Sequence, residues 1–147
     1  MGYMEQMNAN FFISKDNFPH VLEAIKELAS HPEWMSGGSW EDGKCEEKWY
    51  CWVDTNSFLN AETVEKAMIE WGWEVSYDNE GNIDSIISVG EKLGDDDILM
   101  SAIAPWVREN SYIQMLGEDN KMWRWYFTDG KMEEIHPQII WGDSLQQ

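Results

Sequence analysis

Residues 112–135 read YIQMLGEDNKMWRWYFTDGKMEEI, and their patterning decides the fold. Residues 112–116 and 123–127 are two strand-length runs of apolar and aromatic side chains, and Gly117-Glu118-Asp119-Asn120 between them is turn chemistry. Thr128-Asp129-Gly130 then turns the chain into a third run, 131–135. Gly, Asn and Asp accept the left-handed backbone of tight turns, so short strands joined this way pair antiparallel. Trp123, Trp125 and Phe127 share one face of their strand and Met122, Arg124 and Tyr126 the other, because successive strand side chains point to opposite sides.

The same logic extends toward the N-terminus. Trp73, Val75 and Tyr77 alternate cleanly, and Asp78-Asn79-Glu80-Gly81-Asn82 turns the chain into 83–89. Further extended pieces are expected at 10–14, 48–53 and 138–141. Three helices are legible. The first follows Asp16-Asn17, carries Pro19 in its first turn, and places Phe18, Val21, Leu22, Ile25, Leu28 and Ala29 on one face. The second starts near Ala61, with Val64, Met68 and Trp71 inward, and stops at Gly72. The third begins in Asp95-Asp96-Asp97, where carboxylates suit the positive end of the helix dipole, and Pro105 ends it. The expected fold is α+β, a mainly antiparallel sheet with about three helices packed on one face, ferredoxin-like in arrangement. The 147 residues suit a single domain, 1–147.

Charge narrows the function. Ten Lys+Arg against 28 Asp+Glu leave a formal net charge of −18. Direct nucleic-acid binding and binding to anionic membranes both draw on Lys and Arg, so neither is expected. Ten tryptophans and an apolar fraction of 43% argue against a disordered acidic chain. The acids are spread along the chain, 13 in residues 1–73 and 15 in 74–147, so the acidity belongs to the folded surface rather than to a tail. Residues 1–10 carry no basic-plus-apolar leader, and no run is long enough to span a bilayer. With Cys45 and Cys51 read as ordinary thiols, the expected setting is the cytoplasm.

Catalytic motifs are thin. His20, His31 and His136 lack partners at ligand spacing, and neither a nucleophile elbow nor a phosphate-cradling glycine loop is present. Asp95-Asp96-Asp97 lacks the alternation of a calcium loop. No catalytic residue, metal or cofactor is therefore assigned, and the chain is expected not to be an enzyme. The candidate partner-binding residues are Glu41, Asp42, Glu46, Glu47, Glu118 and Asp119, with Trp34 and Trp40 as aromatic anchors and Trp52 beside them as a further candidate for an exposed patch. They lie partly in 31–47, where Pro32, Gly37, Gly38, Ser39 and Gly43 read as a loop.

A resemblance adds to this reading. From Trp71 to Trp141 the runs WGWEV, GEKLGDDD, AIAPWV, SYIQM, GED, WRWYF and DGK resemble a family of small acidic proteins of bacteria and their phages and mobile elements. That family implies no assigned activity. In size, acidity and lack of catalytic motifs the chain is also similar, in general style, to phage-encoded anti-CRISPR and anti-restriction inhibitors of host defence nucleases. The expectation is an acidic inhibitor of a nucleic-acid-binding enzyme, acting as a nucleic-acid mimic. The alternative is an immunity or adaptor protein for a basic protein partner.

Overall fold

The computed structural model describes residues 2–90 and 92–142. Its centre is the meander anticipated from the C-terminal half: β6 (Tyr112–Gly117), β7 (Met122–Thr128) and β8 (Lys131–Ile135), each antiparallel to the next. The first strand, β1 (Met4–Asn10), pairs antiparallel with β6 and gives the order β1-β6-β7-β8. A ferredoxin-like fold needs a β-α-β-β-α-β order. Here a meander with β1 added at one edge stands in its place, so the α+β class holds and the narrower expectation does not.

Two hairpins accompany this sheet. One is β4 (Trp73–Tyr77) with β5 (Ile83–Ser88), and the other is β2 (Gly37–Glu41) with β3 (Lys44–Trp49). The β4–β5 hairpin is held to β1 by one side chain. Gln6 donates from Nε2 to the Ile86 carbonyl and accepts from the Ser88 N–H at Oε1, both at 2.8 Å. Its carboxamide thus acts as a substitute peptide group where β1 bulges between Gln6 and Asn8.

The helices are α1 (Phe18–Glu27), α2 (Thr55–Leu59), α3 (Val64–Glu70) and α4 (Asp96–Ile103). Pro19 lies in the first turn of α1, and Val21 and Ile25 are buried beneath it. Thr63 caps α3 by accepting from the Lys66 N–H, a few residues later than the expected start. Helix α2, unforeseen, is capped by Asp54 and buries only Phe58. Ile113, Met115, Trp123, Trp125 and Phe127 turn the inner sheet face into one core with Val21, Ile25, Met68, Leu99 and Ile103. Trp73 and Trp125 are the largest fully buried side chains: an indole that loses roughly 150–250 Å² of exposure gains roughly 4–6 kcal/mol before entropy is subtracted.

Several expected strands lie elsewhere. The piece at 10–14 follows β1 rather than forming a strand, and Ile13 makes isolated bridges to Ile83 and Val107. The piece at 48–53 belongs to a strand that ends at Trp49. Residues 138–141 do not form a strand, and Ile139, Ile140 and Trp141 are exposed. No helix among the described residues is long and apolar enough to cross a membrane.

Candidate protein-interaction surface

The segment expected to be a loop is a projecting hairpin. Asp42 and Gly43 take φ of 52° and 78° at its tip, the left-handed pair that a two-residue turn requires and that Asp-Gly supplies. A Cβ on Gly37 would meet the Trp49 indole at 2.6 Å, so glycine is what lets this ring lie across the opposite strand. No residue of β2 or β3 is buried. The core therefore gains little from the ribbon, and its side chains are presented outward.

Five of the eight candidate residues sit on this ribbon. Trp40 is 68% exposed, and Glu41, Asp42, Glu46 and Glu47 are all exposed. Trp34 lies just before it, in a short 3-10 turn at Pro32–Trp34, with its ring stacked on His31 at 3.9 Å between centroids. His31 Nδ1 is 2.7 Å from Glu33, and this contact holds the Glu33 carboxyl below its ordinary value. Between β3 and the start of α2 opens a cleft of about 870 Å³ lined by Glu46, Glu47, Trp49 and Trp52.

Glu118 and Asp119 are not on the ribbon. They occupy the turn between β6 and β7, where Asp119 and Asn120 take φ of 59° and 60°. There they line a separate cleft of about 400 Å³ with Asp97 and Glu134. A third cleft, of about 320 Å³, shares Trp52 and Val53 with the 870 Å³ cleft and is lined by Glu70, Asp95 and Asp96. The segment 92–97 divides the two smaller clefts, with Lys92 and Asp95 in one and Leu93 and Asp97 in the other. Glu46 and Glu47 of the first acid cluster and Glu118 and Asp119 of the second thus line clefts whose walls carry several carboxylates and one lysine each, Lys48, Lys92 and Lys121, whereas Glu41 and Asp42 stand outside them at the ribbon tip.

The three consecutive aspartates were expected to serve the helix terminus together; instead each has its own surroundings. Asp95 makes no side-chain cap. Its carboxylate accepts from the Ser36 N–H at 3.1 Å, the Ser36 hydroxyl at 2.8 Å and the Cys51 N–H at 2.9 Å, which clips the root of the hairpin to α4. Asp96 is buried and accepts from the Trp73 indole at 2.8 Å and the Gly94 N–H at 3.1 Å. Burial pushes its carboxyl value up, and the same cause raises that of Asp97. Cys51 is buried, and burial together with Asp95 pushes its thiol up, away from the reactive thiolate. Among the described residues no three His, Cys, Asp or Glu side chains converge as a metal-binding group.

The basic side chains leave this acidity unneutralised. Among the described residues Lys66 is the only Lys or Arg within 4.0 Å of a carboxylate, at 3.7 Å from Glu62. Others lie on aromatic rings: Arg108 over Phe12 at 4.2 Å, Arg124 over Tyr112 at 4.6 Å and Lys92 over Trp52 at 4.6 Å. The strand expected at 48–53 would include Trp52; instead Trp52 stands in a turn, 56% exposed, at φ +69°. No family model, no curated protein and no solved structure matches this chain.

Proposed function

We propose that this protein is a non-enzymatic binding protein that occupies a basic surface of a nucleic-acid-handling protein, a defence nuclease of the CRISPR or restriction type, and so inhibits it. The observation that carries the reading is the β2–β3 ribbon: none of its residues is fully buried, it displays Trp40 beside its tip, and it bears four carboxylates with no Lys or Arg within 4.0 Å among the described residues. A net charge of −18 far exceeds the magnitude of about 2–8 that keeps a small domain soluble. Such self-repulsion destabilises the folded chain unless a cation-rich surface relieves it. Charge of this kind steers association, and Trp40 and Trp34 supply the aromatic contacts that dominate interface energies. Cys45 and Cys51 are in thiol rather than disulfide form, which accords with a reducing cytoplasm as the setting.

The test is capture from nuclease-treated host lysate, with elution by salt and separately by competing DNA or RNA. A nucleic-acid-handling protein released by both supports the reading. A variant carrying Trp40→Ala with Glu41→Gln, Asp42→Asn, Glu46→Gln and Glu47→Gln should fold and capture nothing. Asn at 42 keeps the left-handed turn, so loss of capture is not loss of the hairpin. Capture that is unchanged by those five substitutions refutes the ribbon as the contact.

One observation favours the second reading, an immunity or adaptor protein. Lys44 and Lys48 alternate with the ribbon's acids, a mixed pattern that a phosphate-like array would not carry and that suits a specific protein surface. Under that reading competing nucleic acid does not release the partner.

A further inference from the structure

We propose that Trp52 is a cation-binding platform that receives an arginine side chain of the basic partner, with Lys92 covering the ring until the partner displaces it. The inference rests on the reading of a basic partner and adds the anchor point and its chemistry. Tyr50–Val53 is a hydrogen-bonded turn, closed by the Val53 N–H donating to the Tyr50 carbonyl at 3.0 Å. Only the third residue, Trp52, has positive φ, the sign pattern of a turn that calls for Gly or Asn at that place. A bulky side chain there is strained, and such strain persists only where the surroundings impose it. Here they do. Asp95 holds the Cys51 N–H, and a Cβ on Gly94 would collide with the Cys51 carbonyl at 2.7 Å and approach the Trp52 ring at 3.1 Å.

The strain gives the core little in return, since Trp52 is 56% exposed and stands outside the core cluster. What it achieves is position: Trp52 stands where the two clefts share a wall, between Glu46 and Glu47 on one side and Asp95 and Glu70 on the other. The chain's own Lys92 already shows that the ring face accepts a cation, with Nζ 4.6 Å from its centroid. Among the described residues no carboxylate pairs with that ammonium, which lies 4.6 Å from the Trp52 centroid and more loosely, at 6.0 Å, over Tyr3, so aromatic faces are what hold it and a better-fitting cation can replace it on Trp52. Guanidinium is that cation, because it is planar, weakly hydrated and stacks, whereas ammonium does not.

The experiment compares capped octa-arginine and octa-lysine peptides, equal in charge, binding to the full chain. Octa-arginine should bind about fivefold more tightly. Trp52→Gly should bring the ratio to about one while the thermal midpoint stays level or rises, because glycine relaxes the turn. Trp52→Asn, which tolerates the same backbone, should do likewise. Lys92→Met should raise the arginine preference, whereas Lys121→Met, the same charge change in another cleft, should tighten both peptides alike. Equal affinities in the unaltered chain, a preference that survives Trp52→Gly, or a midpoint lowered by both substitutions would overturn the proposal. If both peptides bind equally and neutralising the ribbon weakens both, the basic-partner reading stands and Trp52 alone falls; if neither binds, both fall.

Discussion

Removing the Asp96 carboxylate should loosen the junction of α4 with β4. The Trp73 indole N–H at 2.8 Å and the Gly94 N–H at 3.1 Å both end on this buried group. Asp96→Ala strands both donors, at about 1–3 kcal/mol for each that is left unsatisfied. Relief from desolvating a carboxylate offsets part of that loss, since burial already disfavours the charged form. A net loss of about 2 kcal/mol follows, which in a chain of this length lowers the thermal midpoint by about 4–8 °C. Trp73→Phe removes the donor instead, and a double-mutant cycle should give a coupling of about 1.5–3 kcal/mol, the range for a hydrogen bond to a charged group. Urea unfolding followed by far-ultraviolet circular dichroism at neutral pH, with constant slope across the four proteins, measures it. A coupling below about 0.5 kcal/mol would refute the assignment of this bond as the tie between the two elements.

Three other outcomes are expected. Burial raises the carboxyl values of Asp96 and Asp97 above 3.8, so their contribution to stability is fully present below that value and is lost as pH rises through the folded values. Hydrogen bonds from Asn82 and from Thr128 hold Asp78 and Glu109 low, and their contribution is lost as pH falls through the depressed values. Thermal midpoints should therefore peak in mild acid and fall toward neutral, less steeply in Asp96→Asn; a midpoint that climbs from mild acid to neutral contradicts this. Gln6→Leu should destabilise by about 2 kcal/mol, by leaving the Ile86 carbonyl and the Ser88 N–H without partners, and Ser88 should lose protection in hydrogen exchange. Gly37→Ala should displace the Trp49 indole and speed exchange across the β2–β3 ribbon while global unfolding barely moves; a large global loss would mean that the ribbon is part of the core.

Legibility in the sequence followed the strength of the local signal. The meander could be read because its turns carry Gly, Asp and Asn and its strands alternate, and α1 because Pro19 and the apolar spacing agree. Helix α2 escaped because five residues with one buried side chain, Phe58, cannot show a period. The ribbon reads as a loop in the sequence because it faces solvent on both sides and has no apolar alternation; Asp42-Gly43 is the signal that identifies it as a hairpin. Strand β1 reads as polar, MEQMNAN, and is a strand because of its register against Tyr112–Gly117. The separate roles of Asp95 and Asp96 depend on Ser36, Cys51 and Trp73, distant in sequence, as does the strained display of Trp52.

The most direct test of the central claim is the affinity for the captured partner as a function of salt, for the unaltered chain and for the variant with Glu41, Asp42, Glu46 and Glu47 neutralised. If the ribbon's uncompensated carboxylates make the contact, affinity falls steeply with salt in the first protein. In the variant it is weaker and its salt dependence visibly shallower. Equal slopes and equal affinities would contradict the claim and place the binding surface elsewhere on the molecule.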